Sequence, residues 1–215
     1  LGASATSYTN PGGPAQTQNN LIRMTGGDDI TVENNLLGFT LWRSILLFAP
    51  VANVTIQGNE FLGSFDGIDF GNPGVGPLGT ITVTRNLFHD FVDNGAGSTI
   101  FAIFHTQTGG ETSVTDNTFD AVRYAMIVFP SFPLLVKNNI MTNGLQGVSV
   151  LAPGTAPATI TQNSIFDNSD IGIDLWNLFN TNYATGYAGT YTAVGGTWQN
   201  PTSIYAPRFV RLNFT

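Results

Sequence analysis

Six stretches of this chain repeat one pattern, in which an alternating apolar segment is followed by an asparagine and, two positions later, by another apolar residue. The aligned stretches are ITVENNLL (30–37), VTIQGNEF (54–61), ITVTRNLF (81–88), TSVTDNTF (112–119), LLVKNNIM (134–141) and ATITQNSI (158–165). Their asparagines, at separations of 24, 27, 31, 22 and 24 residues, are Asn35, Asn59, Asn86, Asn117, Asn139 and Asn163. A repeat of this length is typical of solenoids, in which each copy forms one coil.

The apolar positions of the repeat predict strands with one buried face. Three residues before each asparagine the side chain is β-branched, and two residues after it the side chain is apolar. The first column contains Val32, Ile56, Val83, Val114, Val136 and Ile160; the second contains Leu37, Phe61, Phe88, Phe119, Met141 and Ile165. The column five residues before the asparagine is weaker, because Thr112 interrupts it. If the copies stack in register, each column becomes an interior ladder.

The asparagine column is predicted to have two roles. Asparagine tolerates the left-handed backbone conformation, so we expect it to form the turn that ends the strand. Stacked asparagine side chains are also expected to hydrogen-bond from one coil to the next.

A second strand is predicted about seven to nine residues after each asparagine. These strands cover residues 44–48, 67–70, 100–104, 124–129, 147–151 and 172–176. Only the Asn86 copy departs from this offset, and residues 94–98 are interpreted as a loop inserted before its strand. Loops of variable length rich in Gly and Pro follow, so each coil is expected to have at least two strands, two turns and one variable loop.

On these residues the chain resembles the right-handed parallel β-helix proteins, whose coil repeat occurs in pectate-lyase-like enzymes, phage tailspikes and bacterial surface proteins. The stretch from Asn163 to Leu175 is the most typical of that repeat. The resemblance implies an all-β fold, a right-handed parallel β-helix (β-solenoid) of about six to seven coils across residues 20–176. It leaves the function open, because this family includes lyases, hydrolases, epimerases, adhesins and inert spacers.

Two regions fall outside the repeat. Residues 1–19 are rich in small and polar residues and are interpreted as a leader, linker or N-terminal cap, while residues 21–24 are interpreted as the second strand of an incomplete first coil. Residues 177–215 are aromatic-rich and are interpreted as a C-terminal β extension, which either caps its own solenoid or pairs with the next subunit. The predicted assembly strand carries Phe209, Val210, Leu212 and Phe214. Head-to-tail pairing of this kind does not close and gives filaments.

Composition excludes several classes of function. Charged residues make up 10% of the chain, Lys137 is its single lysine, and the net charge is −7, which argues against nucleic acid or an anionic membrane as partner. No apolar run approaches a membrane span. With no Cys and two His, Cys/His metal centres are excluded, and no phosphate-binding loop or nucleophile motif occurs. The polar surface rich in Thr, Asn and Gly favours an extracellular or cell-surface location.

Acidic residues on the second strands do not predict a catalytic groove. Asp69 and Asp174 are expected at equivalent outward positions four coils apart, or about 19 Å, which is too far for a carboxylate pair. Between them the equivalent positions are expected to be Ala102, Met126 or Ile127, and Ser149, which are apolar or small.

The strongest acidic cluster involves the turns after two adjacent asparagines. Asp66 and Asp93 both lie seven residues after their asparagine, with Asp69, Asp90 and His89 nearby in sequence, and His89 shares a column with Asp120. Three interpretations remain open: a carboxylate pair with one raised pKa, a Ca²⁺ site at Asp66 and Asp93, or solvated turn residues.

The sequence therefore favours a non-catalytic, secreted structural protein without a cofactor, a self-associating subunit of a surface filament, sheath or adhesin. Its expected partners are further copies of the chain and a surface polysaccharide. The alternative is a lyase or hydrolase acting on acidic polysaccharide through Asp66, Asp69, Asp93, His89 and Arg123. A third reading is a carbohydrate-binding module that stacks sugar rings on Trp42, Trp176 or Trp198.

Overall fold

The computed structural model describes residues 20–40, 42–48, 50–70, 79–91, 100–105, 110–128, 133–151 and 158–176. Every regular element in these ranges is a β-strand. Within the same ranges there is no helix of the length and apolarity needed to cross a membrane.

Three parallel sheets form the walls of the solenoid. Sheet A contains β1 (Asn20–Met24), β5 (Arg43–Leu47), β9 (Asp66–Asp69), β12 (Phe101–His105), β15 (Tyr124–Val128), β18 (Gln146–Leu151) and β21 (Ile171–Trp176). Sheet B contains β3 (Thr31–Glu33), β7 (Val54–Gln57), β10 (Ile81–Thr84), β13 (Thr112–Thr115), β16 (Leu134–Lys137) and β19 (Ala158–Thr161). Sheet C contains β4 (Leu36–Gly38), β8 (Glu60–Leu62), β11 (Leu87–His89), β14 (Thr118–Asp120), β17 (Ile140–Thr142) and β20 (Ser164–Phe166). A short pair, β2 (Gly27–Asp28) with β6 (Val51–Ala52), precedes sheet B.

Each coil runs from sheet B through sheet C to sheet A, and each strand pairs in parallel with its counterpart in the next coil. The all-β solenoid is confirmed, although the ladder from Asn35 to Asn163 spans about five turns, slightly fewer than expected. The short strand after each asparagine forms a sheet of its own, so a coil has three strands rather than the minimum of two. The predicted first strand near Leu21 is confirmed, because β1 pairs with β5.

The two apolar columns of the repeat do fill the interior. The β-branched residues of sheet B are in register, as when Ile56, Val83 and Val114 follow one another across β7, β10 and β13. In sheet C the rings of Phe61, Phe88 and Phe119 stack, with centroid separations of 4.4 and 4.8 Å and nearly parallel planes. Offset stacking of this kind adds to the stabilisation from apolar burial.

The polar residue that interrupts the weaker column has a buried partner. Thr112 is 2% exposed, and its Oγ1 lies 3.1 Å from Nε2 of the equally buried His105. The His105 ring also packs against Phe70, with centroids 5.2 Å apart. Because a buried hydroxyl without a hydrogen bond is costly, this contact explains how a threonine fits an apolar column.

The asparagines form one continuous hydrogen-bonded ladder, as predicted. From Asn35 to Asn139, the backbone amide and Nδ2 of each asparagine donate to Oδ1 of the next one, as Asn86 does to Asn117 at 2.9 and 3.0 Å. Nδ2 of Asn117 also donates to the carbonyls of Val83 and Thr115. An amide side chain suits this role because it both donates and accepts, and a coil spacing of about 4.8 Å brings successive amides into contact.

The prediction that the asparagines themselves occupy the left-handed turn is wrong. The residue before each asparagine has positive φ, and so does the residue four positions after it. The first set is Asn34, Gly58, Arg85, Asp116, Asn138 and Gln162; the second is Phe39, Gly63, Asp90, Ala121, Asn143 and Asp167. The ladder requires Nδ2 to reach the carbonyl two residues back, as in Asn117 to Thr115, and the positive φ falls on the residue between them.

Strands of sheet A break strict alternation, because two consecutive residues face inward. Ala102 and Ile103 both belong to the main core, whereas Phe101 and Phe104 belong to a separate outer cluster. Small residues allow this pattern: a Cβ on Gly147 would lie only 2.5 Å from the carbonyl oxygen of Gly172. The equivalents expected between Asp69 and Asp174 are therefore corrected to Phe104, Ile127 and Ser149, since Ala102 and Met126 face inward.

Candidate functional site

Sheet A presents two outward columns of side chains, one at the start of each strand and one three residues later. The first contains Asn20, Arg43, Asp66, Phe101, Tyr124 and Gln146. The second contains Arg23, Leu46, Asp69, Phe104, Ile127, Ser149 and Asp174. Several members are nearly as buried as the core, among them Asp66 at 3% and Asp69 at 4% exposure. Acidic side chains this buried need a compensating partner or a changed protonation state.

Asp69 has a cationic partner in the adjacent coil. Nε of Arg43 lies 2.5 Å from Oδ2 of Asp69. Both side chains are outward on neighbouring strands, where Arg43 is in register with Asp66 and Leu46 with Asp69. An ion pair in this position favours the charged form of the Asp69 carboxyl.

Asp66 has the opposite environment. The pKa of Asp66 is raised from 3.8 to about 8, mainly by burial and to a smaller extent by the nearby Asp69 carboxyl, while Arg43 and the Phe101 backbone amide oppose the shift only in part. Within the described part of the chain, Oδ1 of Asp66 has no hydrogen-bond partner. One strand therefore carries a protonated carboxyl and an ion-paired carboxylate three residues apart, a combination typical of acid–base sites.

Aromatic side chains adjoin this group of three, which we call the Arg43–Asp66–Asp69 cluster. On the next strands Phe101 and Phe104 stack, with centroids 4.8 Å apart, and pack with Tyr124 and Ile127. On the other side, Trp42 is 39% exposed and lies 5.3 Å from the Arg43 guanidinium. Among the predicted sugar-stacking residues, Trp42 is therefore partly open to solvent. Trp198 and the side chain of Trp176 lie outside the described residues.

The remaining predicted site residues do not join this cluster. Asp93 lies outside the described residues, so its proximity to Asp66 stays a prediction. Arg123 is exposed, lies 5.7 Å from the Tyr124 ring, and is two coils, or about 10 Å, from Asp66. Phe209, Val210, Leu212 and Phe214 also lie outside the described residues.

His89 forms a different site, on the outer side of sheet C. Its Nδ1 lies 2.8 Å from Oδ2 of Asp90 and its Nε2 lies 3.0 Å from Oε1 of Glu60. Burial lowers the pKa of His89, but the hydrogen bonds to Asp90 and Glu60 more than offset this and raise the pKa overall. The predicted register of His89 with Asp120 is confirmed. His89 and its two carboxylate partners form a local surface cluster on a different sheet from the Arg43–Asp66–Asp69 cluster.

The structure gives no further support for a metal. Across the described ranges, no three His, Cys, Asp or Glu side chains are grouped so as to hold a metal ion. Because Asp93 is outside those ranges, the Ca²⁺ site at Asp66 and Asp93 stays a prediction.

Arg43 is the site residue that the sequence pattern does not reveal. The pattern places the start of this strand at Ser44, whereas β5 begins one residue earlier. An alignment of the second strands could have revealed it. Arg43 directly precedes the predicted strand that begins at Ser44, just as Asp66 directly precedes the one that begins at Gly67.

Comparison with known proteins supports the fold. Residues 20–186 match the family model described as the right-handed beta helix region, which covers most of the chain. No curated protein and no solved structure gives a significant match. The match agrees with the three parallel sheets and their in-register ladders, and the chain belongs to the right-handed β-helix family.

Proposed function

We propose that this protein is a non-catalytic structural subunit of an extracellular filament, sheath or adhesin that associates end to end. The observation that carries the proposal is that both ends of the solenoid present edge strands of the same three sheets. Within the described residues, β1, β3 and β4 are edge strands at one end, and β19, β20 and β21 are edge strands at the other. Edge strands present unpaired backbone groups, which favour pairing with another chain.

The asparagine ladder supports a polar, head-to-tail contact. At one end no described residue donates to Oδ1 of Asn35, and at the other no described residue accepts from the backbone amide of Asn163. Every interior asparagine makes both contacts, as Asn117 does. One end therefore offers an acceptor and the other a donor, which a coil inserted between the two copies would satisfy.

The number of strands in each sheet indicates which strands a junction between two copies would lack. Sheet A has seven strands and sheets B and C have six each. If β21 pairs with β1 of the next copy, sheets B and C each lack one strand at the junction. In earlier coils the chain passes from sheet A to sheet B, so a continuation of this path beyond β21 would lead to the position of the missing strand of sheet B. We propose that the segment 206–215, with alternating Val210, Leu212 and Phe214, supplies it.

Composition supports an extracellular setting and close packing of subunits. The chain has no cysteine and only 10% charged residues, so few charges need to be desolvated when copies meet. Its continuous β core needs no disulfide for stability.

The purified protein is expected to form regular filaments above a threshold concentration, observed by electron microscopy and light scattering. Deleting residues 206–215 is expected to leave a folded monomer by circular dichroism that no longer polymerises. Leu212→Asp should have the same effect, whereas Arg211→Ser, on the opposite side of the predicted strand, is the matched control. An untruncated chain that stays monomeric at every concentration would contradict the proposal, and an unfolded truncation would identify the tail as a cap.

A second candidate function is carbohydrate-active catalysis on the outer face of sheet A, favoured by the Arg43–Asp66–Asp69 cluster. Glycoside hydrolysis uses one protonated and one ionised carboxyl, and the opposed environments of Asp66 and Asp69 supply this pair. The exposed face of Trp42 offers a surface for sugar stacking. This candidate ranks second because both carboxyls are almost fully buried.

Under this second candidate, the protein would degrade at least one member of a panel of acidic and neutral polysaccharides, measured by release of reducing ends and of unsaturated products. Asp66→Asn and Asp69→Asn would each lower kcat at least about 100-fold, the typical effect of removing a general acid or base. Asp116→Asn, an exposed turn substitution, is the control. Absence of turnover by the wild type across the panel would rule this candidate out.

A further inference from the structure

The second outward column of sheet A begins and ends with opposite charges. Arg23 on β1 is its first member and Asp174 on β21 is its last, and the five members between them are in register strand by strand. Both terminal strands are edge strands in the described part of the chain. One end of the solenoid therefore carries a guanidinium, and the other a carboxylate, at the same lateral position.

Neither charge has an ion-pair partner among the described residues. The Arg23 side chain is exposed, and its guanidinium lies 4.3 Å from the centroid of the Phe48 ring, which fixes the group without neutralising it. Asp174 is half-buried; burial raises its pKa, and the neighbouring Asp170 carboxylate raises it further. A cation beside Asp174 would relieve this repulsion.

We propose that Arg23 of one copy pairs with Asp174 of the preceding copy, and that this pair fixes the polarity and register of the end-to-end junction. The inference rests on the proposed self-association and specifies its contact. Neighbouring strands lie about 4.8 Å apart, so opposite side chains on the same face are within reach of one another.

The adjacent column fits the same register. Ile22 and Ile173 precede Arg23 and Asp174, and both pack against the apolar core of their own coils. In the proposed junction they would meet and continue the interior column of Ile45 and Ile68. A shift by one residue would oppose Arg23 to Ile173 and place inward residues against outward ones, which disfavours the alternative register.

Mixing two charge-reversed variants tests this pairing without a double mutant. Arg23→Asp alone would place two carboxylates opposite one another at the junction, and Asp174→Arg alone would place two guanidinium groups there. Each variant should therefore have a critical concentration for assembly at least about tenfold above the wild type. In an equimolar mixture the two variants can alternate along the filament. Each junction between different variants then joins one positive and one negative side chain, because the facing positions 23 and 174 are either both substituted or both unchanged. The mixture should therefore assemble near the wild-type threshold, in filaments that contain both variants.

The outcomes separate this inference from the function on which it rests. A wild type that never assembles would contradict self-association itself. Assembly of the wild type with unchanged thresholds for both single variants would overturn the Arg23–Asp174 contact alone. Impaired single variants that stay impaired when mixed, although folded by circular dichroism, would also overturn it. Arg85→Asp is the matched control, because Arg85 is an exposed arginine in a middle coil, bonded to Gln57, and should leave the threshold unchanged.

Discussion

Replacing Asn117 with alanine is expected to lower the free energy of unfolding by about 3–5 kcal/mol, because it breaks the ladder at a fully buried position. The Asn117 side chain donates through Nδ2 to Val83, Thr115 and Asn139 and accepts from the backbone amide and Nδ2 of Asn86. Alanine removes all of these side-chain contacts and leaves the buried backbone amide of Asn86 without its acceptor, where water does not replace it. Urea unfolding followed by circular dichroism measures the loss.

Asn35→Ala is the matched control at the end of the same ladder. The Asn35 side chain makes two hydrogen bonds, from Nδ2 to the Glu33 carbonyl and to Oδ1 of Asn59, and the residue is only half-buried. Its loss is therefore expected to cost about 1 kcal/mol. Equal losses at Asn35 and Asn117 would show that the stabilisation comes from local turn geometry and not from continuity of the ladder.

The sequence predicts the fold of this chain well because one set of columns determines both the strands and their stacking. Ile56, Val83 and Val114 are spaced so that a single register buries all of them, and that register also aligns the asparagines. A slip of one residue would expose the whole set, so few alternatives compete. The two regions outside the repeat have no such columns, and nothing comparable in the sequence constrains them.

The candidate site is harder to predict, because it depends on a departure from simple alternation. Period-two reasoning assigns every second residue of a strand to the same face. In sheet A, small residues such as Gly67 and Ala102 let two consecutive positions face inward, which moves Asp66 and Asp69 to the same outer face. The close approach that permits this is a property of neighbouring coils, not of the strand read alone. Arg43 escapes period-two reasoning as well, because it precedes the apolar residues that mark its strand.

The Asp66→Asn variant is expected to become progressively more stable relative to the wild type as the pH rises from about 4 to about 8. Burial raises the pKa of Asp66 from 3.8 to about 8, so within this window the folded protein holds a proton that the unfolded chain has released. Wild-type stability therefore falls as the pH rises, by about 1.4 kcal/mol per pH unit for this group. Asparagine resembles the protonated carboxyl in shape and does not titrate.

The total difference accumulated between pH 4 and pH 8 is expected to be on the order of 5 kcal/mol, measured by urea unfolding at each pH. Comparing variant with wild type at the same pH cancels the contributions of His89 and Asp174, whose pKa values are also raised. Asp116→Asn, at an exposed turn, is the matched control and should follow the wild-type curve. A difference that stays constant with pH would mean that Asp66 is ionised in the folded protein. That result would remove the acid–base asymmetry between Asp66 and Asp69, and with it the basis for catalysis on this face.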